Sequence, residues 1–128
     1  MKLLLDTHTF LWWITNAPQL SDRARDFILN GNNPLYWSAA SSWEVSIKYA
    51  LGRLPLPDVP ERFLPPQLFH NHIESLAVND NHAFLAGQLP GRHRDPFDRM
   101  LIAQAHVESM ALLSNDRQLG LYEIELYR

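Results

Sequence analysis

At 128 residues and a formal charge of −3, the chain is expected to fold as one domain, residues 1–128, around one core; it is too short for two. Its 46% apolar content excludes intrinsic disorder, and its lack of cysteine excludes disulfide frameworks and thiolate metal sites, which fits a reducing cytoplasm. The mild acidity offers no broad basic footprint for nucleic acid, yet a bound divalent ion would cancel part of an acidic cluster and leave Arg92, Arg94, Arg99 and Lys48 with Arg53 to act locally.

The chain opens on Leu3-Leu4-Leu5, a short apolar run of buried-strand type that Asp6 ends. This run is too brief for a secretory h-region, and no segment approaches the roughly 18 apolar residues of a membrane span. The protein is therefore expected to be soluble and cytoplasmic. Thr7 or Thr9 can cap a helical turn carrying Phe10, Leu11, Trp12, Trp13 and Ile14. Ser21 is a good N-cap for a second helix that stops at Gly31. Leu35 to Ser38 reads as a strand, and Ser41-Ser42-Trp43-Glu44 as a capping box that launches a third helix towards Gly52. Glu61 to His72 is helical in pattern, with Pro65-Pro66 expected to break or restart it. A third strand covers Ile73 to Val78, and Asn79 or Asp80 caps a helix through Leu89. Pro90 to Arg94 is an exposed basic loop. A helix from Asp95 to about Met110 leads into a strand from Ala111 to Ser114. A turn at Gln118 to Leu121 and a strand from Glu123 to Tyr127 close the chain.

Strands alternating with helices predict an α/β fold: three layers, α/β/α, about a central, mostly parallel sheet of about five strands. Right-handed crossovers align the carboxyl ends of such strands along one edge, where these sheets hold ligands, and the helix N-termini face the same edge. Asp6 and Asp116 end strands, while Glu44 and Asp98 sit in first turns of helices, so four acids reach that edge. Taken singly, each has an ordinary structural role: Glu44 completes a capping box, Asp95 caps before Pro96, and Asp98 suits a helix N-terminus. Taken together they require neutralisation, and Mg²⁺ or Mn²⁺ prefers carboxylate and water oxygens. The chemistry natural to such an ion is phosphodiester hydrolysis, with a carboxylate that receives the proton of the attacking water.

The segments LLLDTHTFLWW, WSAASSWEVSIKYALGRLPLP, HRDPFDRMLIAQA and LLSND occur in the order and spacing of the PIN-domain ribonucleases, and the chain resembles the VapC-type toxins of bacterial toxin–antitoxin pairs over nearly its whole length. The resemblance implies an Mg²⁺- or Mn²⁺-dependent endoribonuclease acting on RNA, dimeric and held inactive by a cognate antitoxin. By motif, Asp6 matches the first acid, in LLLDTH, and Glu44 the second, in SSWE. Asp98 is in register with the third through Leu101, Ala103 and Ala105, and Asp116 matches the acid after the fourth strand. These four are the implied catalytic and metal-binding residues, with Ser114 and Asn115 as hydrogen-bonding supports. Asp95 is an extra acid, either ligand or helix cap. His93, in HRDPF, matches a frequent family residue; with Arg92, Arg94 and Arg99 it is a candidate RNA contact, against a solvated basic loop.

Two other functions are open to the same residues. A non-catalytic RNA- or protein-binding module would use the acids as caps alone. An aspartyl-phosphate phosphotransferase fits poorly, because Asp6-Thr7-His8 is not the D-x-D of haloacid-dehalogenase-like enzymes and no lysine follows Lys48. The histidines are expected to be solvated, although His70 and His72, on a strand face, would suit zinc. Phe10, Leu11 and Trp13 cannot all face one core on so short a helix, which predicts a surface covered by a second subunit or an antitoxin helix.

Overall fold

The computed structural model describes residues 1–90 and 95–115, together with the backbone of residues 126–127. Five strands form one sheet: β1 (Leu3–Leu5), β2 (Leu35–Ser38), β3 (Ile73–Leu76), β4 (Ala111–Leu113) and β5 (Leu126–Tyr127), in the order β3-β2-β1-β4-β5. Every pairing is parallel, with Leu3 opposite both Leu35 and Ala111. The helices are α1 (Thr7–Ile14), α2 (Asp22–Leu29), α3 (Ala39–Ala50), α4 (Pro60–His70), α5 (Asp80–Gln88) and α6 (Pro96–Val107). None of the described helices is long and apolar enough to cross a membrane.

The period of two along the strands sorts side chains into two cores. Leu3, Leu5, Leu35, Trp37, Ala111 and Leu113 point to one face, where Phe10, Ala24, Ile28, Leu64 and Leu68 pack from the helices. Leu4, Leu112 and half-buried Tyr36 point to the other, against Leu101, Ile102 and Ala105 of α6. The sheet is thus sandwiched between helical layers, and all three leucines of β1 are fully buried. Each such side chain contributes about 1.5–3 kcal/mol.

Several helix ends depart from expectation. Asp6, rather than Thr7 or Thr9, caps α1, and its side chain accepts from the His8 N–H. Ser38 caps α3, so the helix begins three residues before the S-x-x-E stretch expected to start it. Helix α4 runs without interruption through Pro65 and Pro66. The carbonyls that the two prolines leave unpaired by the helical pattern belong to Glu61 and Arg62, both exposed, where water can satisfy them. Helices α1, α3, α4 and α6 are each followed by a left-handed residue: Asn16, Gly52 (φ 71°), His72 and Ser109. Only Gly52 announces such a turn by residue type.

Helix α1 buries Phe10 against Trp37, with ring centroids 4.7 Å apart, and lays Leu11, Trp12, Trp13 and Ile14 half-buried on the same core. The chain's own core thus covers part of the apolar face expected of this helix, and the four half-buried side chains keep some exposed surface. His70 and His72 lie at the end of α4 and in the turn beyond it, both exposed, and share no strand face. His82 is fully buried, against the expectation that the histidines are solvated. Its Nδ1 accepts from the Asn79 N–H at 3.2 Å, which places the ring proton on Nε2, 2.8 Å from Glu108 Oε2.

Arg99, singled out as a candidate RNA contact, has a structural role in the fold. Its guanidinium donates to the carbonyls of Ala86, Leu89 and Pro90, which secures the C-terminal end of α5 against α6. A lysine cannot reproduce this fork. Arg99→Ala and Arg99→Lys should both lower stability by about 1–2 kcal/mol, read as a lower urea midpoint at unchanged slope.

Candidate active site

The chain moves outward from β1 to β2 and β3, then returns to place β4 on β1's other side, so the topology switches between β1 and β4. At this point the carboxyl ends of adjacent parallel strands open a crevice. Asp6 follows β1 and Ser114 follows β4; the Asp6 N–H continues the ladder by donating to the Leu113 carbonyl at 3.0 Å. The two side chains consequently meet, and the Ser114 hydroxyl donates to Asp6 Oδ2 at 2.7 Å. Asp6 Oδ1 accepts from the His8 N–H at 2.8 Å. Asp6 is 7% exposed and Ser114 1%.

Glu44 reaches the same crevice from α3. It is the sixth residue of that helix, beyond the first turn, and forms no capping box. Its side chain is instead buried and bonded at both oxygens. The Thr7 hydroxyl donates to Oε1 at 2.8 Å and lies 2.9 Å from the Ser41 hydroxyl. The Lys48 ammonium, one helical turn on, donates to Oε2 at 2.6 Å. Burial of a carboxylate requires such compensation.

Helix α6 supplies the remaining described acids. Asp95 is its N-cap, and Oδ1 accepts from the N–H groups of Phe97 (2.8 Å) and Asp98 (3.3 Å). The cap thus engages one oxygen of Asp95. Asp98 stands in the first turn, half-buried, where the positive end of the helix favours a carboxylate. Trp43 and Phe97, which immediately precede Glu44 and Asp98, meet edge to face at 5.3 Å and tie α3 to α6.

Asp6, Glu44, Asp95, Asp98, Ser114 and Asn115 all line one cleft of about 360 Å³. Asp116, Arg92, His93 and Arg94 lie outside the described residues, as does the turn expected at Gln118 to Leu121. Three residues not singled out for the site also line it, His8, Thr9 and Trp12, together with Lys48, named above only as one of the bases free to act locally. Lys48 had a legible signal, the i,i+4 pairing with Glu44. Thr7, which bonds Glu44, and Ser41, which bonds Thr7, had none, since their hydroxyls read as ordinary caps.

The donor types of the cleft, carboxylate, hydroxyl and amide oxygen, suit a hard cation rather than a soft one. Among the described residues no three acids or histidines stand close enough to form a ready-made cage. Magnesium does not demand one, because it usually keeps several waters and takes one or two carboxylates.

The PIN domain family model matches residues 3–125 of the chain. Ribonuclease VapC16 of Mycobacterium tuberculosis is 31% identical over 66 residues, which cover 52% of this chain and 47% of that protein. The match spans about half the length of that relative. Among solved structures, a chain of VapBC2 from Rickettsia felis bound to a DNA fragment from their promoter superposes with a TM-score of 0.72 at 18% identity, covering 98% of this chain and 97% of that one. A chain of DNA-bound VapBC from Salmonella typhimurium gives 0.70 at 24% identity, with 98% and 96% covered. These likenesses extend the match in fold over nearly the entire length. With the family model spanning almost every residue, the chain belongs to the PIN-domain family.

Proposed function

We propose that the chain is a metal-dependent endoribonuclease, the toxin of a VapBC-like toxin–antitoxin pair. The observation that carries this reading is the convergence of Asp6, Glu44 and Asp98, from three separate elements, on one cleft at the topological switch point. Helix caps alone give no reason for Glu44 to be there, because Glu44 caps nothing. The similarity to a ribonuclease VapC and to chains of VapBC complexes points the same way.

In this reading Asp6 and Asp98, with Asp116, hold Mg²⁺ or Mn²⁺. The ion supplies Lewis acidity towards the phosphodiester when bound. The chain's own groups do the rest. The His8 N–H and Ser114 hydroxyl fix both oxygens of Asp6, so its direction is set before substrate arrives. The cap from Asp95 orients the first turn that carries Asp98. Glu44, already bonded to Thr7 and Lys48, keeps further lone pairs for an ion and shapes the charge of the cleft. A carboxylate left outside the metal shell receives the proton of the attacking water. The enzyme acts in the cytoplasm, and a cognate antitoxin restrains it.

A homodimer belongs to the same proposal. Trp43, Ile47 and Leu51 recur every four residues along α3 and are exposed, with Trp43 at 65%. Such a stripe on a soluble helix is a surface for a protein partner.

Purified protein should cleave single-stranded RNA in Mg²⁺ or Mn²⁺ and stop in EDTA. Asp6→Asn and Asp98→Asn should each lower the rate at least about 100-fold while far-UV circular dichroism stays native. RNA left intact by the wild-type chain across a panel of folded and unfolded RNAs would favour a binding module. Size-exclusion chromatography with light scattering at micromolar concentration should give twice the chain mass; a stable monomer would remove the dimer.

A further inference from the structure

We infer that Lys48 is a phosphate-binding residue of the cleft, held ready by Glu44; this rests on the ribonuclease reading. Four carboxylates, Asp6, Glu44, Asp95 and Asp98, line the cleft, and among its described lining residues Lys48 is the sole lysine or arginine. An incoming phosphodiester is itself an anion, so this wall must present positive charge from the protein as well as from any ion. Lys48 stands where that charge is needed.

The arrangement differs from an ordinary surface i,i+4 pair, which contributes little and leaves both side chains mobile. Glu44 is 6% exposed in its side chain, and its second oxygen is held by Thr7, which in turn touches Ser41. The carboxylate is therefore a fixed anchor. Lys48 meets it at 2.6 Å yet remains 38% exposed. An ammonium has three N–H donors, and Glu44 takes one, which leaves two for acceptors in the cleft. Immobilising a long side chain ahead of binding removes part of the entropy that phosphate capture would otherwise cost. An ammonium that served only to neutralise Glu44 would have no need of the cleft, yet Lys48 lines it with 38% of its side chain exposed.

The test reads phosphate contact directly. Binding of a fluorescein-labelled single-stranded RNA is followed by anisotropy in EDTA, where no turnover occurs, over a series of KCl concentrations. Loss of one phosphate contact should weaken binding roughly tenfold and reduce the slope of log affinity against log salt by about 0.7 for a single strand. Lys48→Met should show both effects, and Lys48→Arg should keep the wild-type slope. The Lys48→Met/Glu44→Gln double variant removes the unpaired buried charge and should fold and show the same reduced slope. A wild-type slope in the Lys48→Met or double variant overturns the inference, whatever happens to thermal stability. If the wild-type chain fails to bind RNA in EDTA yet cleaves it with metal, the anchor is wrong and the ribonuclease reading stands. Absence of both binding and metal-dependent cleavage removes the ribonuclease reading and the inference together.

Discussion

The hydrogen bond from Ser114 to Asp6 joins residues 108 positions apart, and it exists because β1 and β4 lie side by side. The parallel ladder sets this distance: Leu5 stands opposite Leu113, and the next residue of each strand inherits the register. A slip of one residue would turn every leucine of β1 to the wrong layer and carry Asp6 out of the crevice. The buried leucines therefore hold the carboxylate in place as firmly as its own hydrogen bonds do. Hydrophobic alternation and site geometry are here one constraint.

Within the crevice, like charges are tolerated because each has been given its own donors. Asp6 has the His8 N–H and the Ser114 hydroxyl; Glu44 has Thr7 and Lys48; Asp98 has the start of α6. Several of these interactions serve the fold as well as the site. Asp6 starts α1 while facing the cleft, and Asp95 starts α6 from its rim. Capping and ligation are not rival explanations for such residues, since a cap can engage one carboxylate oxygen and leave the other to a ligand.

The fold class and most elements were legible from spacing alone. Ser21 caps α2, Asn79 caps α5 and Asp95 caps α6 as their residue types require. The convergence of Asp6, Glu44 and Asp98 was legible once the strands were known to be parallel. Glu44 was placed in the cleft for the wrong reason: S-x-x-E reads as a capping box, but Ser38 starts the helix first, and the buried Thr7 and Ser41 hydroxyls decide where Glu44 points. Such contacts join residues 34 and 37 positions apart, and no local pattern encodes them. The same holds for Arg99, whose position beside a basic loop suggested nucleic acid while its guanidinium is committed to carbonyls of residues 86 to 90. Left-handed helix ends at Asn16, His72 and Ser109 were not legible because even the types enriched at positive φ, Asn and His, occupy other conformations far more often.

The two walls of the cleft are electrostatically unlike, and the difference follows from where each acid sits on its element. Glu44, well inside α3, cannot draw on the dipole of a helix terminus and is buried with a hydroxyl bonded to one oxygen and an ammonium to the other. Asp6 and Asp98 sit at the starts of α1 and α6, where backbone N–H groups and the positive ends of the helix dipoles favour their charge. On the ribonuclease reading, the α1 and α6 side, with carboxylates at two helix starts, suits a hard divalent ion that takes few carboxylates and keeps its waters, and the α3 side, which carries Lys48, suits an anionic substrate. On that reading a cleft with a net excess of acids still offers an anionic strand a cation from the chain itself.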